Sequence, residues 1–480
     1  MKRMDESPGV AQREQDSKPG IAEHELVALR AQFSGELVLP GADGYTAARG
    51  VWNGLIDKKP ALIARAAAAA DVAVVVRFAQ RVQLPLAVRG GGHNVAGNGT
   101  VDDGIVLDLG ALRDVSVDPV SATVRVAAGA LLRDVDQATA PFGLAVPLGV
   151  VSATGVGGLT LGGGLGWLTR AYGLTVDNLV SAEIVTAAGN VVWSSHNENP
   201  ELFWAIRGGG GNFGVVTAFT FQAQRLAPLV FAGNLIYAQP QWRQALRAYE
   251  VWTRDIPDEL TSILTFMVPP ASWDLGDEPR LVIGFVWAGE DITAGERVIA
   301  SLREVAPPDV EVVEPMPWTQ WQSAVDELFP RGARAYWKNL AFDEMDDAVL
   351  EVLMRRGAEQ NWYGTGFDIH HLGGAFGRVA EKATPFPNRD ARFWLNVYGF
   401  WPDAADDAAR IAFVRGLAAD MDAFAAGGQY VNFVGEEAGT DPLALAREAY
   451  GPQKLRRLRE VKHEFDPDNV FRLNHNIPPR

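Results

Sequence analysis

Three clusters of glycine limit what this chain can fold into: RGGGH at residues 89–93, GVGGLTLGGGLG at 155–166 with seven glycines in twelve residues, and RGGGGNFG at 207–214. Consecutive glycines cost backbone entropy and add nothing to a core, so a chain keeps them where its backbone must turn sharply or lie close to something. The spacing is irregular, which excludes a structural repeat. Short β-branched runs (LPLAV, GIVLDL, ATVRVAAG, SAEIVTAAGNVVW and FGVVTAFTF) alternate with helical segments around the clusters, which predicts an α+β or α/β region. Glycine loops after strands offer rows of backbone N–H groups suited to a pyrophosphate. One cluster alone would serve as a tight turn. A single dinucleotide fingerprint of the GxGxxG type would account for part of one cluster and leave the other two unexplained. His93 is the reactive side chain at the first cluster.

Near residue 228 the glycine clusters stop and tryptophan becomes frequent, with ten of the fourteen tryptophans between 228 and 425. Segments such as LTSILTFMV, RLVIGFVWAG, TGFDIHHLGG and FWLNVYGFW read as strands, and QALRAYEVWTRDI, GERVIASLREV and DDAVLEVLMRRGAE as helices. This pattern predicts an antiparallel sheet covered by helices on one side. The boundaries expected are a flexible tail over 1–30, a first domain over 31–227, a second over 228–425 and a closing segment over 426–480. The stretch 61–81 is interrupted by Arg65, Asp71 and Arg77 and reads as a soluble helix, not a membrane span. Most tryptophans of the middle region are expected in the core, and the basic run KLRRLREVKH on a solvated helix face.

The net charge of −16 repels phosphate backbones and anionic lipid, so neither nucleic acid nor membrane is an expected partner. The chain has no cysteine, which removes disulfides, thiolate metal sites and thiol nucleophiles. No metal site is expected, and a cytoplasmic location is.

PLAVRGGGHNVAGNG, GVVSATGVGGLTLGGGLGWLTRAYGLTVDNLVSAEIVTAAG, NPELFWAIRGGGGNFGVVTAF, YVNF and FDPDNVFRLNHNIPP, in this order, resemble the berberine-bridge-enzyme-like branch of the vanillyl-alcohol-oxidase type flavoproteins. The resemblance implies an α+β fold: a two-lobed PCMH-type FAD-binding domain built from the N-terminal region and the tail, with a substrate domain inserted between. It further implies covalent attachment of FAD through His93, with Arg89, Gly90, Gly91, Gly92 and Asn94 along the pyrophosphate. By the same resemblance Gly155, Gly157, Gly158, Thr160, Gly163 and Gly164 form a second FAD loop. Val185 meets the adenine end, and Tyr430, Asn432 and Asn474 reach the isoalloxazine and ribityl chain. Many relatives attach FAD a second time through a cysteine where this chain has Val151, so a single attachment and a somewhat weaker oxidant are implied.

Relatives often carry a catalytic tyrosine at the fourth position of the YVNF motif, where this chain has Phe433. Alternation on FWLNVYGFW puts Trp394, Asn396 and Tyr398 on one face, and Tyr398 is the first choice for a proton acceptor, with His370 or His371 behind it. Thr154 occupies the position that the resemblance associates with oxygen access. The activity implied is that of an FAD-dependent oxidase, taking a hydride from an alcohol, hydroxylated ring or C–N bond of a small molecule, with oxygen as acceptor. A dehydrogenase, a flavin oxygenase and a redox-inactive nucleotide-binding module are the alternatives.

Overall fold

The structure is a computed structural model that describes residues 21–435, 439 and 441–480. Its first sheet has four strands in the order Glu36–Val38, Leu62–Arg65, Ile105–Asp108, Leu86–Arg89; the last three are mutually parallel. Parallel pairing needs a crossover, and the helix Ala69–Arg81 supplies it between Leu62–Arg65 and Leu86–Arg89. The single helix expected over 61–81 is therefore a strand followed by a helix. Asp71 makes the break: its carboxylate accepts from the Ala67 and Ala68 N–H groups at 2.9 and 3.1 Å, and Ala68 is extended at φ −145°.

A second sheet is antiparallel and runs Val115–Asp118, Thr123–Ala127, Val215–Gln222, Leu179–Val185, Val191–Ser195. One apolar core joins the two sheets with the tail helix Pro442–Phe465, through residues such as Phe219, Val126, Leu107, Val76 and Leu458. Of the tail expected over 1–30, residues 1–20 lie outside the described residues. Glu23–Arg30 is a helix instead, because Leu26 and Leu29, three apart, both bury into this core.

The third sheet has seven antiparallel strands, in the order Val310–Pro317, Leu229–Tyr237, Arg280–Trp287, Leu260–Met267, Thr365–His371, Phe393–Trp401, Arg334–Phe342. Alternate residues such as Leu235, Ile283, Leu264, Ile369 and Leu395 pack under the helices Trp242–Trp252, Ile292–Val305, Asp347–Ala358 and Asp407–Met421. The period of two sends Asp368, His370, Asn396 and Tyr398 to the other face, toward the first two sheets. Trp242, Trp287, Trp318, Trp321, Trp337, Trp394 and Trp401 are buried, as core residues.

The basic run KLRRLREVKH is not wholly solvated. Lys462 is fully buried, and its Nζ donates to Asp466 Oδ2 at 2.6 Å, to the Phe471 carbonyl at 3.0 Å and to the Asn212 carbonyl at 2.8 Å. A lone buried ammonium would be costly, so its partners come with it. The consequence is positional: the tail is fixed against the third glycine cluster.

Candidate active site

A cleft of about 240 Å³ runs where the first two sheets, the tail and the open face of the third sheet meet. All three glycine clusters open onto it. The first cluster follows directly from the strand Leu86–Arg89, and the Arg89 guanidinium, 6% exposed, pairs with Asp108 at 2.7 Å while its second terminal nitrogen has no partner. Gly91 and Gly155 lie back to back: a Cβ on Gly91 would stand 2.6 Å from the Gly155 Cα, and one on Gly155 2.3 Å from the Gly91 nitrogen. Two main chains approach this closely only without side chains.

Arg89, Gly90, Gly91, Gly92, His93, Asn94, Gly155, Gly157 and Gly158 all line the cleft, as do Thr154, Tyr430, Asn432, Asn474, Asn396 and His370. Thr160, Gly163, Gly164 and Val185 do not. Thr160 lies on the helix Val156–Gly162, Gly163 and Gly164 follow that helix, and Val185 ends the strand Leu179–Val185, all behind the wall of the cleft. A Cβ on Gly163 would meet Phe386 at 2.5 Å, Gly164 donates to the Tyr430 hydroxyl at 3.0 Å, and Val185 pairs with Val215 behind the third cluster. Tyr430 thus acts as a strut: its hydroxyl also accepts from Asn432 Nδ2 at 2.9 Å, and the same amide reaches the Leu159 carbonyl at 3.1 Å. Asn474 Nδ2 donates to the Gly211 carbonyl at 2.8 Å, which ties the end of the chain to the third cluster.

His93 stacks on Trp52 at 4.3 Å between ring centroids, and its shielded Nε2 has no hydrogen-bond partner. Burial pushes its imidazole down to about 4, with the Arg331 charge adding to the effect, so the ring is neutral near pH 7. Across the cleft, His370 Nε2 lies 3.1 Å from Asp368 Oδ1, and Asn396 Nδ2 donates to Asp368 Oδ2 at 3.5 Å. Phe433 stands 6.2 Å from His370 and 4.7 Å from Tyr430, ring to ring. His371 faces away, beside Phe393 and Arg170, and burial holds it well below its ordinary value.

Tyr398 does not line this cleft. It lines a smaller side chamber and packs among Phe329, Trp337 and Phe400, and burial, reinforced by Asp368, drives its phenol well above 10. Asp368 and His370 belong to both cavities and form part of the wall between them. Sequence reasoning passed over Asp368, although it stands two residues before His370 on one strand and alternation puts both on one face. Trp52, Asn212, Phe329 and His475 carry no comparable sequence signal.

The donors present fit FAD. Glycine main chain from all three clusters lines the cleft, and it holds unpartnered polar atoms on Arg89, His93, Asn396 and His475 that a bound group would satisfy.

Residues 60–195 match the family model for an FAD binding domain, and 429–478 the one for berberine and berberine-like proteins. The chain is 32% identical to (R)-6-hydroxynicotine oxidase of Paenarthrobacter nicotinovorans over 94% of its own length and 98% of that protein. The crystal structure of 6-hydroxy-D-nicotine oxidase from Arthrobacter nicotinovorans superposes with a TM-score of 0.82 at 30% identity, covering 93% of this chain and 98% of the other. Glucooligosaccharide oxidase from Acremonium strictum, whose FAD is 6-S-cysteinyl and 8α-N1-histidyl, superposes with a TM-score of 0.83 at 22% identity over 95% and 99% of the two chains. At that identity the likeness speaks to the fold alone.

Proposed function

Since the chain belongs to the berberine-bridge-enzyme-like FAD-linked oxidoreductases, we propose that it is an oxidase that takes a hydride from an alcohol, hydroxylated ring or C–N bond of a small molecule and passes the electrons to oxygen, giving hydrogen peroxide. Bound flavin supplies the hydride acceptor and then the two-electron donor to oxygen. The observation that carries this reading is the opposition, across one cleft, of an unpartnered neutral His93 and the Asp368–His370 pair.

Each group has a task in this reading. Arg89, Asn94 and the N–H groups of Gly90, Gly91 and Gly92 hold the pyrophosphate, as Gly155, Gly157 and Gly158 do from the facing helix. His93 is the single covalent tether. Its neutral ring is the form with a free nitrogen lone pair, and the Trp52 stack holds the ring plane. Chain position 151 is valine, so no second thioether tether forms. Asn432 and Asn474 fix the tail against the glycine loops.

His370 takes the substrate proton, with Asp368 orienting its ring. Tyr398 is a poor base here, since a phenol held well above 10 stays protonated near neutrality. Phe433, in the tyrosine position of many relatives, closes the cleft beside His370 and excludes water. Thr154, which lines the cleft and has nearly the shape of valine, leaves an open path for oxygen. The cysteine-free composition supports the cytoplasm as its location.

The test is anaerobic reduction by a substrate panel followed by admission of oxygen. Stoichiometric peroxide with rapid reoxidation is expected, and Thr154→Leu should slow that reoxidation. Reoxidation no faster than that of free reduced flavin would make the protein a dehydrogenase with another acceptor.

A further inference from the structure

The loop between the helix Tyr45–Arg49 and the strand Leu62–Arg65 carries Trp52, Asn53 and Gly54, and it bonds in two directions. Toward the first glycine cluster, the Trp52 N–H donates to the Gly92 carbonyl at 2.9 Å, and Asn53 Nδ2 donates to the Val95 carbonyl at 2.8 Å. His93 lies between those two carbonyls in the chain, and its ring stacks on Trp52. Two consecutive residues thus hold His93 before it, after it and on one ring face.

In the other direction the loop meets the strand Arg334–Phe342 and the residues that lead into it. This is the last strand of the third sheet, so its outer main-chain groups need partners. The Asn53 amide supplies them as a peptide group would: Oδ1 accepts from the Ala335 N–H and Nδ2 donates to the Ala335 carbonyl, both at 2.9 Å. Main chain continues the contact, with the Gly54 N–H on the Ala333 carbonyl and the Gly332 N–H on the Trp52 carbonyl, each at 2.8 Å. The Leu55 N–H donates to Asn53 Oδ1 at 2.9 Å, on a residue 1% exposed. A carboxamide has two N–H donors and two acceptor lone pairs, and here every one of them is used. Aspartate has the same shape but would set an oxygen against the Val95 and Ala335 carbonyls.

We infer that Asn53 is a positioning residue for His93: by fixing the His93 loop to the edge of the third sheet, it sets the imidazole for attachment of the flavin. This rests on the reading of His93 as the tether and adds the residue that aims it. Attachment joins an imidazole nitrogen to the carbon of the flavin 8-methyl group. The imidazole N–H and one methyl C–H give up protons, the C–H electron pair passes to the flavin ring, and oxygen takes two electrons and two protons as hydrogen peroxide. The step depends on aim, since a displacement of about 1 Å can slow an oriented reaction about 10²-fold.

Time courses of tethering test this. Protein made without flavin is given FAD in air at several concentrations, and denaturing-gel fluorescence follows the covalent fraction. In Asn53→Ala and Asn53→Asp the rate at saturating FAD should fall at least about tenfold, while the half-saturating FAD concentration stays near that of the parent. Tyr249→Phe, which loses a buried hydrogen bond to Ser262 under the helices of the third sheet, should be less stable yet tether at the parent rate. Asn53→Ser, smaller and still polar, takes the place of any Asn53 variant that does not fold. Asn53 variants that tether at the parent rate, or a Tyr249→Phe that slows as much as they do, overturn the inference and leave the tether standing. A parent that binds FAD and never tethers it overturns both.

Discussion

His370 Nε2 stands 3.1 Å from Asp368 Oδ1 in the wall shared by the cleft and its side chamber. A carboxylate at that distance fixes the imidazole ring and leaves its other nitrogen for the substrate proton. His370→Gln is therefore expected to slow anaerobic flavin reduction by about 10²-fold, with Tyr398→Phe changing it only a few-fold. Stopped-flow absorbance of the flavin measures both, and the opposite ranking would return the role to the phenol.

The same strand shows where sequence was enough and where it was not. Alternation separates His370 from His371 and groups Asn396 with Tyr398, because a strand's period is a local property. Whether a residue on the right face reaches the cleft or the chamber depends on how the third sheet sits against the tail, a relationship between segments far apart in the chain. That is why Tyr398 looked equivalent to Asn396 and is not. The glycine clusters were legible for a related reason: close approach of backbone excludes every other residue, so Gly91 and Gly155 announce their contact. Trp52 announces nothing, since its stack on His93 joins two segments with no shared pattern. The buried Lys462 was hidden in the same way, because its partners Asp466, Phe471 and Asn212 become visible only after the tail has returned.

Attachment through His93 alone predicts a yellow pellet after acid precipitation. His93→Ala should move the colour to the supernatant while the protein still folds, because the site lies on the cleft wall and the change removes a ring that touches Trp52. Denaturing gel fluorescence reads the covalent fraction, and a non-fluorescent parent band would retract the tether.

Two neighbouring glycines of one helix separate cofactor space from protein space. A Cβ on Gly157 would lie 2.8 Å from the Ala128 carbonyl oxygen, whereas one on Gly158 meets nothing within 4 Å although Gly158 lines the cleft. Gly158→Leu should keep or slightly raise the unfolding temperature, since leucine is the better helix former by somewhat under about 1 kcal/mol. Its flavin content should nonetheless fall about tenfold or more, because the added side chain fills the place of the cofactor. Gly157→Ala should lower stability first. Thermal unfolding and flavin-to-protein absorbance ratios, measured on both variants, check the contrast; full flavin occupancy in Gly158→Leu would place the cofactor elsewhere.

Asp136 links the helix Leu132–Thr139 to the helix Trp318–Gln322 through the Trp318 indole, 3.1 Å away, and its other oxygen is buried without a partner. Burial raises its carboxyl from 3.8 to about 7, the indole hydrogen bond opposing this only in part. Between those two values the folded chain holds a proton that the unfolded chain has lost, so this group makes stability fall as pH rises through the window. Asn lacks the titration while keeping an oxygen for the indole, and its unpartnered amide adds a cost that does not vary with pH. The stability difference, Asp136→Asn minus parent, should therefore climb from about pH 4 to about pH 7 and then level. At about 1.4 kcal/mol per pKa unit the climb is at most about 4 kcal/mol. Urea unfolding of both chains at a series of pH values measures it, and a difference that stays flat across the window would mean that Asp136 is ionised in the folded protein.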